Sequence, residues 1–68
     1  MDIRRRVGRN IKTIREAKGW SQEELAERAE LHRTYVSGVE RGIRNPTITV
    51  LERLSLALKV SIGSLTDA

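Results

Sequence analysis

Residues 20–47 of the chain read WSQEELAERAELHRTYVSGVERGIRNPT, and this stretch decides the fold. It opens with a clear helix start. The Ser21 hydroxyl can accept a hydrogen bond from the backbone of Glu24, while the Glu24 carboxylate can reach back to the amide of Ser21. Trp20 before the cap and Leu25 inside the helix can form a hydrophobic staple. The pattern therefore predicts a helix that begins directly after Ser21.

A second short helix follows after a turn at residues 30–32. It spans about residues 32–41, and Gly42 is its natural end. Two short helices joined by a turn of three or four residues form a helix-turn-helix, whose steep crossing demands particular buried positions. The residues predicted to fill them are Leu25, Ala26, Ala29, Leu31, Val36 and Val39. Ala26 must be small because the second helix passes close to it.

The rest of the chain predicts three more helices and no strand. An apolar stripe at three- and four-residue steps marks the first helix, before Gly19; it comprises Ile3, Val7, Ile11 and Ile14. Thr47 opens a fourth helix, whose predicted inward face comprises Ile48, Leu51, Leu54 and Leu58. Ser61 caps a short fifth helix. We therefore expect one all-α domain over residues 1–68, a compact five-helix bundle with no separate ligand-sensing domain.

Composition and charge exclude several classes of protein. The 68 residues include 13 basic and 9 acidic side chains, a net charge of +4, and no cysteine. Without cysteine there is neither a disulfide framework nor a zinc finger. No segment is long and apolar enough to span a membrane, so we expect a soluble, cytoplasmic protein. The basic residues collect in 1–20 and 31–46, on either side of an acidic block, which favours an anionic partner.

The outward face of the second helix of the pair suits the major groove of DNA. It carries no acid and no large apolar side chain, and its residues are Arg33, Thr34, Ser37, Gly38 and Arg41. Arg33 can donate two hydrogen bonds to guanine O6 and N7, although a phosphate contact or a solvated arginine is the alternative. Thr34 can contact a thymine methyl group. Gly38 allows either close approach of DNA to the backbone or local packing room.

The stretch of residues 20–47 resembles the helix-turn-helix domains of phage Cro and repressor proteins. The resemblance covers nearly the whole chain, and the run HRTYVSGVERGIRNPT is most similar to controller proteins of restriction–modification systems. It implies a lambda-repressor-like DNA-binding domain that regulates transcription as a homodimer on a two-fold symmetric double-stranded operator. Glu30 departs from the pattern, because the family often has glycine there. A left-handed conformation at Glu30 would cost about 1–2 kcal/mol.

The resemblance also implies roles for individual residues. The residues expected to read bases are Arg33, Thr34 and Ser37, and those expected to contact the DNA backbone are Gln22, Tyr35, Arg41, Arg44 and Asn45. Arg15 and Glu40 are expected to form a partly buried ion pair between the first and third helices. The apolar residues expected at a dimer interface are Leu58, Val60, Ile62 and Leu65, which could alternatively close the core of the protomer. We expect no cofactor, metal or small-molecule effector.

Two other classes of function remain open, and a third is disfavoured. A protein-interaction module of the antitoxin type is possible, since an acidic helix follows a basic one. RNA binding is less favoured because Trp20 and Tyr35 are the only aromatic residues. An enzyme is disfavoured, because the chain has one histidine, His32, and no glycine-rich phosphate loop. A steep salt dependence of binding to duplex DNA would separate the DNA-binding reading from the protein-interaction reading.

Overall fold

A computed structural model describes residues 2–68, which form five helices with no strand among them. The helices are α1 (Ile3–Ala17), α2 (Gln22–Ala29), α3 (Arg33–Glu40), α4 (Ile48–Leu58) and α5 (Ile62–Thr66). Helix α1 packs against α3 and α5, and α2 packs against α3 and α4. The predicted all-α class and the five-helix bundle are confirmed, and α2 and α3 are the predicted helix pair.

Side-chain oxygens cap four of the five helix starts. The capping residues are Asp2, Ser21, Thr47 and Ser61. The predicted cap at Ser21 is present, with its Oγ 3.0 Å from the amide nitrogen of Glu24. The Glu24 carboxylate, expected to reach back to Ser21, pairs with Arg28 at 2.6 Å. Half of the capping box is therefore replaced by an ion pair one turn along the same helix.

Helices α1 to α4 end in the same way. A residue with positive φ is followed by one whose amide donates to the carbonyl five residues earlier, which satisfies the open carbonyls of the last turn. The positive-φ residues are Gly19, Glu30, Gly42 and Lys59, and the bonds run Trp20 to Arg15, Leu31 to Ala26, Ile43 to Gly38 and Val60 to Ser55. Glu30, at φ 58°, is left-handed although it is not glycine. The turn between α2 and α3 keeps its geometry despite that departure.

All five helices contribute to the core, which comprises Val7, Ile11, Leu25, Ala26, Ala29, Val36, Val39, Leu54, Leu58 and Leu65. The predicted buried positions of the α2–α3 pair all lie in this core, except that Leu31 is only partly buried against it. Ile3 and Ile48, expected to face inward, are exposed. Each is the first residue of its helix, so no preceding turn of the same helix covers its side chain. The predicted helical periodicity is confirmed, but the prediction that the first apolar residue of each stripe faces inward was wrong.

Gly8 sets the distance between α1 and α3. A Cβ atom built on Gly8 would lie 2.6 Å from the carbonyl oxygen of Glu40 and closer still to that of Val39. Because those atoms are backbone, they cannot turn aside as a side chain could. Glycine at this position therefore lets α1 pack directly on the last turn of α3. The spacing of residues in the sequence does not predict this contact, although a glycine in a helix interior, which is destabilising, is a signal for it.

Within the described range, no helix combines the length and the apolar character needed to cross a bilayer.

Candidate nucleic-acid interface

Helix α3 presents a continuous polar face to solvent. Arg33, Thr34 and Arg41 are exposed and Ser37 is half-buried, while the valines on the opposite side are buried in the core. The one acidic residue of α3, Glu40, turns its side chain inward and is only 2% exposed. The outward face of α3 is therefore polar, basic and free of acid, as the sequence predicted for a helix that enters the major groove.

A buried ion pair holds α3 against α1. Arg15 Nε lies 2.7 Å from Glu40 Oε2 and Arg15 Nη2 lies 3.0 Å from Glu40 Oε1, so the contact is bidentate. The two side chains are 9% and 2% exposed. Arg15 Nη1 also donates to the carbonyl of Trp20 at 2.6 Å. The hydrogen bond to Glu40 raises the pKa of Arg15 above its ordinary value. One guanidinium thus ties together α1, the loop before α2, and α3.

Gln22 joins the same network rather than pointing away from the protein. Its Nε2 donates to Glu40 Oε1 at 3.0 Å. The side-chain amide, predicted to meet a phosphate, is thus engaged with a carboxylate. Only one of the two protons on Gln22 Nε2 is used by this bond. Backbone amides of the first turn of α2 are further donors at this place, because they lack partners inside the helix and lie at its positive dipole end.

The loop after α3 folds one of its arginines back onto the helix. Gly38 was expected on the outward face, but it is buried. A Cβ atom there would lie 2.6 Å from Arg44 Cγ, so the stem of Arg44 runs across it. The Arg44 guanidinium carbon lies 5.8 Å from the centroid of the Tyr35 ring. Of the two readings left open for Gly38, the structure favours packing room. Asn45, next along the loop, is exposed.

The start of α1 adjoins the same loop. Gly42 has φ 75°, and a Cβ atom on it would lie 2.8 Å from Arg5 Cγ. The stem of Arg5 therefore extends the basic surface beyond the end of α3. Its neighbour Arg4 pairs with Asp2 at 2.8 Å, and the side-chain hydrogen bond from Arg4 lowers the pKa of Asp2 to about 2.

Other polar residues of α1 hold α5 in place. Arg6 Nε donates to the carbonyl of Thr66 at 2.9 Å, and Asn10 Nδ2 donates to the carbonyl of Leu65 at 3.0 Å. These bonds satisfy open carbonyls at the end of a helix of only five residues. The arginine-rich start of the chain therefore serves two separate purposes, because Arg5 lies beside the α3 loop and Arg6 supports α5.

The acidic block forms a separate surface on α2. Glu23 and Glu27 are exposed, and so is Glu30 at the end of the helix. Across residues 2–68, no three histidine, aspartate or glutamate side chains converge as a metal site would require. These acidic residues therefore lie on a solvated helix face.

The predicted dimer interface is corrected in part. Leu58 and Leu65 are fully buried within the protomer, so they close its own core and are not available to a partner. Val60 and Ile62 are half-buried. Leu56, by contrast, is 70% exposed and borders a shallow cavity of about 230 Å³ between α2 and α4. Leu56, Val60 and Ile62 are therefore the apolar residues of this region that the protomer does not fully cover.

Comparison with known proteins finds relatives over nearly the whole length of the chain. Residues 11–65 match the helix-turn-helix family. The control protein C.BamHI of Bacillus amyloliquefaciens is 43% identical over 67 residues, which are 97% of this chain and 83% of that protein. The transcriptional regulator SinR of Bacillus subtilis is 44% identical over 62 residues, but this chain spans only 56% of its length.

Solved structures with the same fold include two that hold DNA. The restriction–modification controller protein C.Esp1396I, a tetramer in complex with its natural 35 base-pair operator, matches with a TM-score of 0.84 and 46% identity, over 90% of this chain and 80% of that one. SinR in complex with DNA matches with a TM-score of 0.85 and 44% identity, over 90% of this chain and 98% of that one. Sequence and fold together show that this chain belongs to the helix-turn-helix family.

Proposed function

We propose that this protein regulates transcription by binding a specific, two-fold symmetric DNA operator as a homodimer, with α3 in the major groove. The observation that carries the proposal is the face of α3, which exposes Arg33, Thr34 and Arg41 and shows no acid. The family membership supports it, as do the related regulators that have been solved on DNA. The site of action is then chromosomal DNA in the cytoplasm.

The residues that read bases are Arg33, Thr34 and Ser37. Arg33 and Thr34 lie in the first turn of α3 and Ser37 lies one turn later, so a single insertion of the helix brings all three to the floor of the groove. A bidentate contact between Arg33 and guanine discriminates against the wrong base by about 1–3 kcal/mol. Thr34 and Ser37 contribute a methyl group and hydroxyl donors.

Contacts to the DNA backbone come from the rim of the same surface. The donors are Tyr35, Arg41, Arg44 and Asn45, together with the α2 amides at Gln22. Three to five phosphates per protomer correspond to about 6–10 per dimer, for which affinity falls by about 10³–10⁵ between 50 and 200 mM salt. A weak salt dependence on every duplex, with tight binding to a protein, would instead favour the protein-interaction module.

The homodimer places two copies of α3 on one side of the duplex. In this fold the two recognition helices lie about 34–36 Å apart, one turn of DNA. The surface that we assign to the interface contains exposed Leu56 with half-buried Val60 and Ile62. Two copies of such a patch can bury each other across a two-fold axis, because an isologous interface joins a surface to itself.

Selection of bound duplexes from a random pool tests this proposal. We expect a two-fold symmetric consensus with half-sites about 10–10.5 base pairs apart. Arg33→Ala should remove the preference at one symmetric pair of positions. Arg28→Ala is the charge-matched control, because Arg28 is exposed on α2 and pairs with Glu24, and it should leave the consensus unchanged. An unenriched pool would overturn the proposal, and an unchanged consensus with Arg33→Ala would show that Arg33 does not read bases.

A further inference from the structure

We infer that Gly38 is a positioning residue for Arg44. Because Gly38 has no side chain, the stem of Arg44 can lie along α3, and this places the Arg44 guanidinium beside Tyr35 on the DNA-binding face. The inference rests on the proposed function, since it assigns a role within the same surface. Arg44 belongs to the loop after α3, but in this arrangement its side chain forms part of the α3 surface.

The stem of the Arg44 side chain occupies the space beside Gly38. A Cβ atom on Gly38 would lie 2.6 Å from Arg44 Cγ, 3.4 Å from Nε and 3.5 Å from Cδ. Three successive parts of the side chain are thus within contact range, which means that the arginine lies flat along α3. The 2.6 Å distance is shorter than real Cβ contacts allow. Any larger residue at Gly38 must therefore displace the arginine stem.

The backbone brings Arg44 to this place without help from its side chain. The carbonyl of Gly38 accepts hydrogen bonds from the amides of Ile43, at 2.9 Å, and Arg44, at 3.1 Å. Gly42 allows the sharp turn with its φ of 75°. A Cβ atom at Gly38 would leave these bonds in place, because it clashes only with the arginine side chain. The direction of the Arg44 side chain is therefore what depends on Gly38.

The Arg44 guanidinium lies beside the ring of Tyr35. Its carbon lies 5.8 Å from the centroid of the Tyr35 ring, within the range of a cation–π contact. Tyr35 is half-buried on α3, so its ring is a firm support. A cation held in place before DNA arrives loses less freedom on binding than one that swings in solvent. The arrangement therefore favours DNA binding through preorganisation.

The choice of residue is consistent with a functional role. Glycine in the interior of a helix lowers stability relative to alanine, and Gly38 lies within α3. Stability alone would favour alanine, since the one clash that alanine introduces is with an exposed and movable arginine. Gly63 in α5 offers a contrast, because a Cβ atom there would meet only Ser61 Oγ at an ordinary 3.6 Å. Gly63→Ala is thus a matched control.

The test is a double-mutant cycle of Gly38→Ala and Arg44→Ala, measured by fluorescence anisotropy on the duplex selected with the wild-type protein. We expect each single variant to bind about tenfold more weakly, as for one lost charge-assisted hydrogen bond. The double variant should bind no more weakly than Arg44→Ala alone, and Gly63→Ala should bind like the wild type. The melting temperature of Gly38→Ala should be unchanged, or higher by up to about 4–8 °C.

A second readout needs no DNA. The Tyr35 ring should shift the NMR signals of the Arg44 δ-protons in the wild-type protein and in Gly63→Ala. This ring-current shift should be lost in Gly38→Ala, while the amide signals of Ile43 and Arg44 keep their protection from exchange. The ring-current shift depends only on where the Arg44 side chain lies relative to Tyr35. A general loss of stability in Gly38→Ala would not change it.

Three results would overturn the inference. Gly38→Ala could bind the duplex as tightly as the wild type, or keep the ring-current shift. It could also lose the same factor in the Arg44→Ala background, which would instead assign Gly38 to direct approach between the helix backbone and DNA. If the wild-type protein selects no duplex, the proposed function fails, and the ring-current measurement still decides where Gly38 places Arg44.

Discussion

The buried ion pair between Arg15 and Glu40 makes the sharpest prediction about stability. In Glu40→Gln the shape of the side chain is kept and its charge is lost. Arg15 then remains a cation in a site where its side chain is 9% exposed, and of its three hydrogen bonds only the one to the carbonyl of Trp20, at 2.6 Å, does not depend on the Glu40 carboxylate. The guanidinium cannot turn to solvent without leaving the carbonyl of Trp20, so its charge stays buried and uncompensated.

The magnitude follows from that burial. Removing one partner of a buried ion pair costs about 3–5 kcal/mol. The whole free energy of unfolding of a domain of 68 residues is about 3–10 kcal/mol, at roughly 0.05–0.15 kcal/mol per residue. Glu40→Gln should therefore remove a large share of the stability. At about 4–8 °C per kcal/mol for a domain of this size, the melting temperature should fall by at least about 12 °C.

The chain itself offers a matched control. Arg28 and Glu24 form an ion pair of 2.6 Å, about the same length as the buried one, but their side chains are 49% and 40% exposed. Glu24→Gln makes the same chemical change in water and should cost about 0.3–0.5 kcal/mol. Unfolding in urea at pH 7, followed by circular dichroism and by the fluorescence of Trp20, measures both variants. Equal losses in the two variants would refute the reasoning, because burial would then not decide the energy.

A second substitution, at Arg15, tests whether the unpaired cation causes the loss of stability. If the cost of Glu40→Gln comes from the unpaired cation, Arg15→Met should relieve part of it. The double variant should then be more stable than the sum of the two single losses allows, by about 1–3 kcal/mol. Strict additivity would show that the two side chains are not energetically coupled.

Three further predictions concern other parts of the fold. Gly8→Ala should lower stability by about 1–3 kcal/mol in urea unfolding, because its Cβ atom meets the backbone of α3 and not a movable side chain. Leu56→Glu should leave the protomer folded, since Leu56 is exposed, and should weaken dimerisation in analytical ultracentrifugation, whereas Leu65→Glu should unfold the protomer. NMR should show the Asp2 carboxyl titrating near its lowered pKa of about 2. Because the ordinary pKa of this carboxyl is 3.8, the stabilisation of α1 by Asp2 is present above about pH 4 and is lost as the pH falls through 2.

Each of these has a contrary outcome. Wild-type stability in Gly8→Ala would mean that α1 can move off α3 at no cost. A dimer of Leu56→Glu as tight as that of the wild type would place the interface elsewhere on the protomer. An Asp2 carboxyl that titrates near 3.8 would mean that Arg4 does not hold it in solution.

Local chemistry was enough to predict the helices from the sequence. Ser21 and Ser61 are short polar residues whose oxygens satisfy the first amides of a helix, and Gly19 and Gly42 readily adopt the positive φ that ends one. Each signal involves residues a few positions apart, so it can be seen without knowing the rest of the fold. The polar face of α3 was visible for the same reason, because helical periodicity alone separates it from the valines.

Only the tertiary structure decided which of these residues face one another. Gly8 and Gly38 are both glycines in helix interiors, but one admits the backbone of α3 and the other admits the side chain of Arg44. Leu56 and Leu65 are both apolar residues near the end of the chain, but one is exposed and the other is enclosed. The sequence determined the elements and their chemical faces, because those depend on neighbours along the chain. How closely two helices approach, and which apolar side chains become buried, depends on contacts between segments far apart in the chain. The local spacing of residues does not encode these contacts.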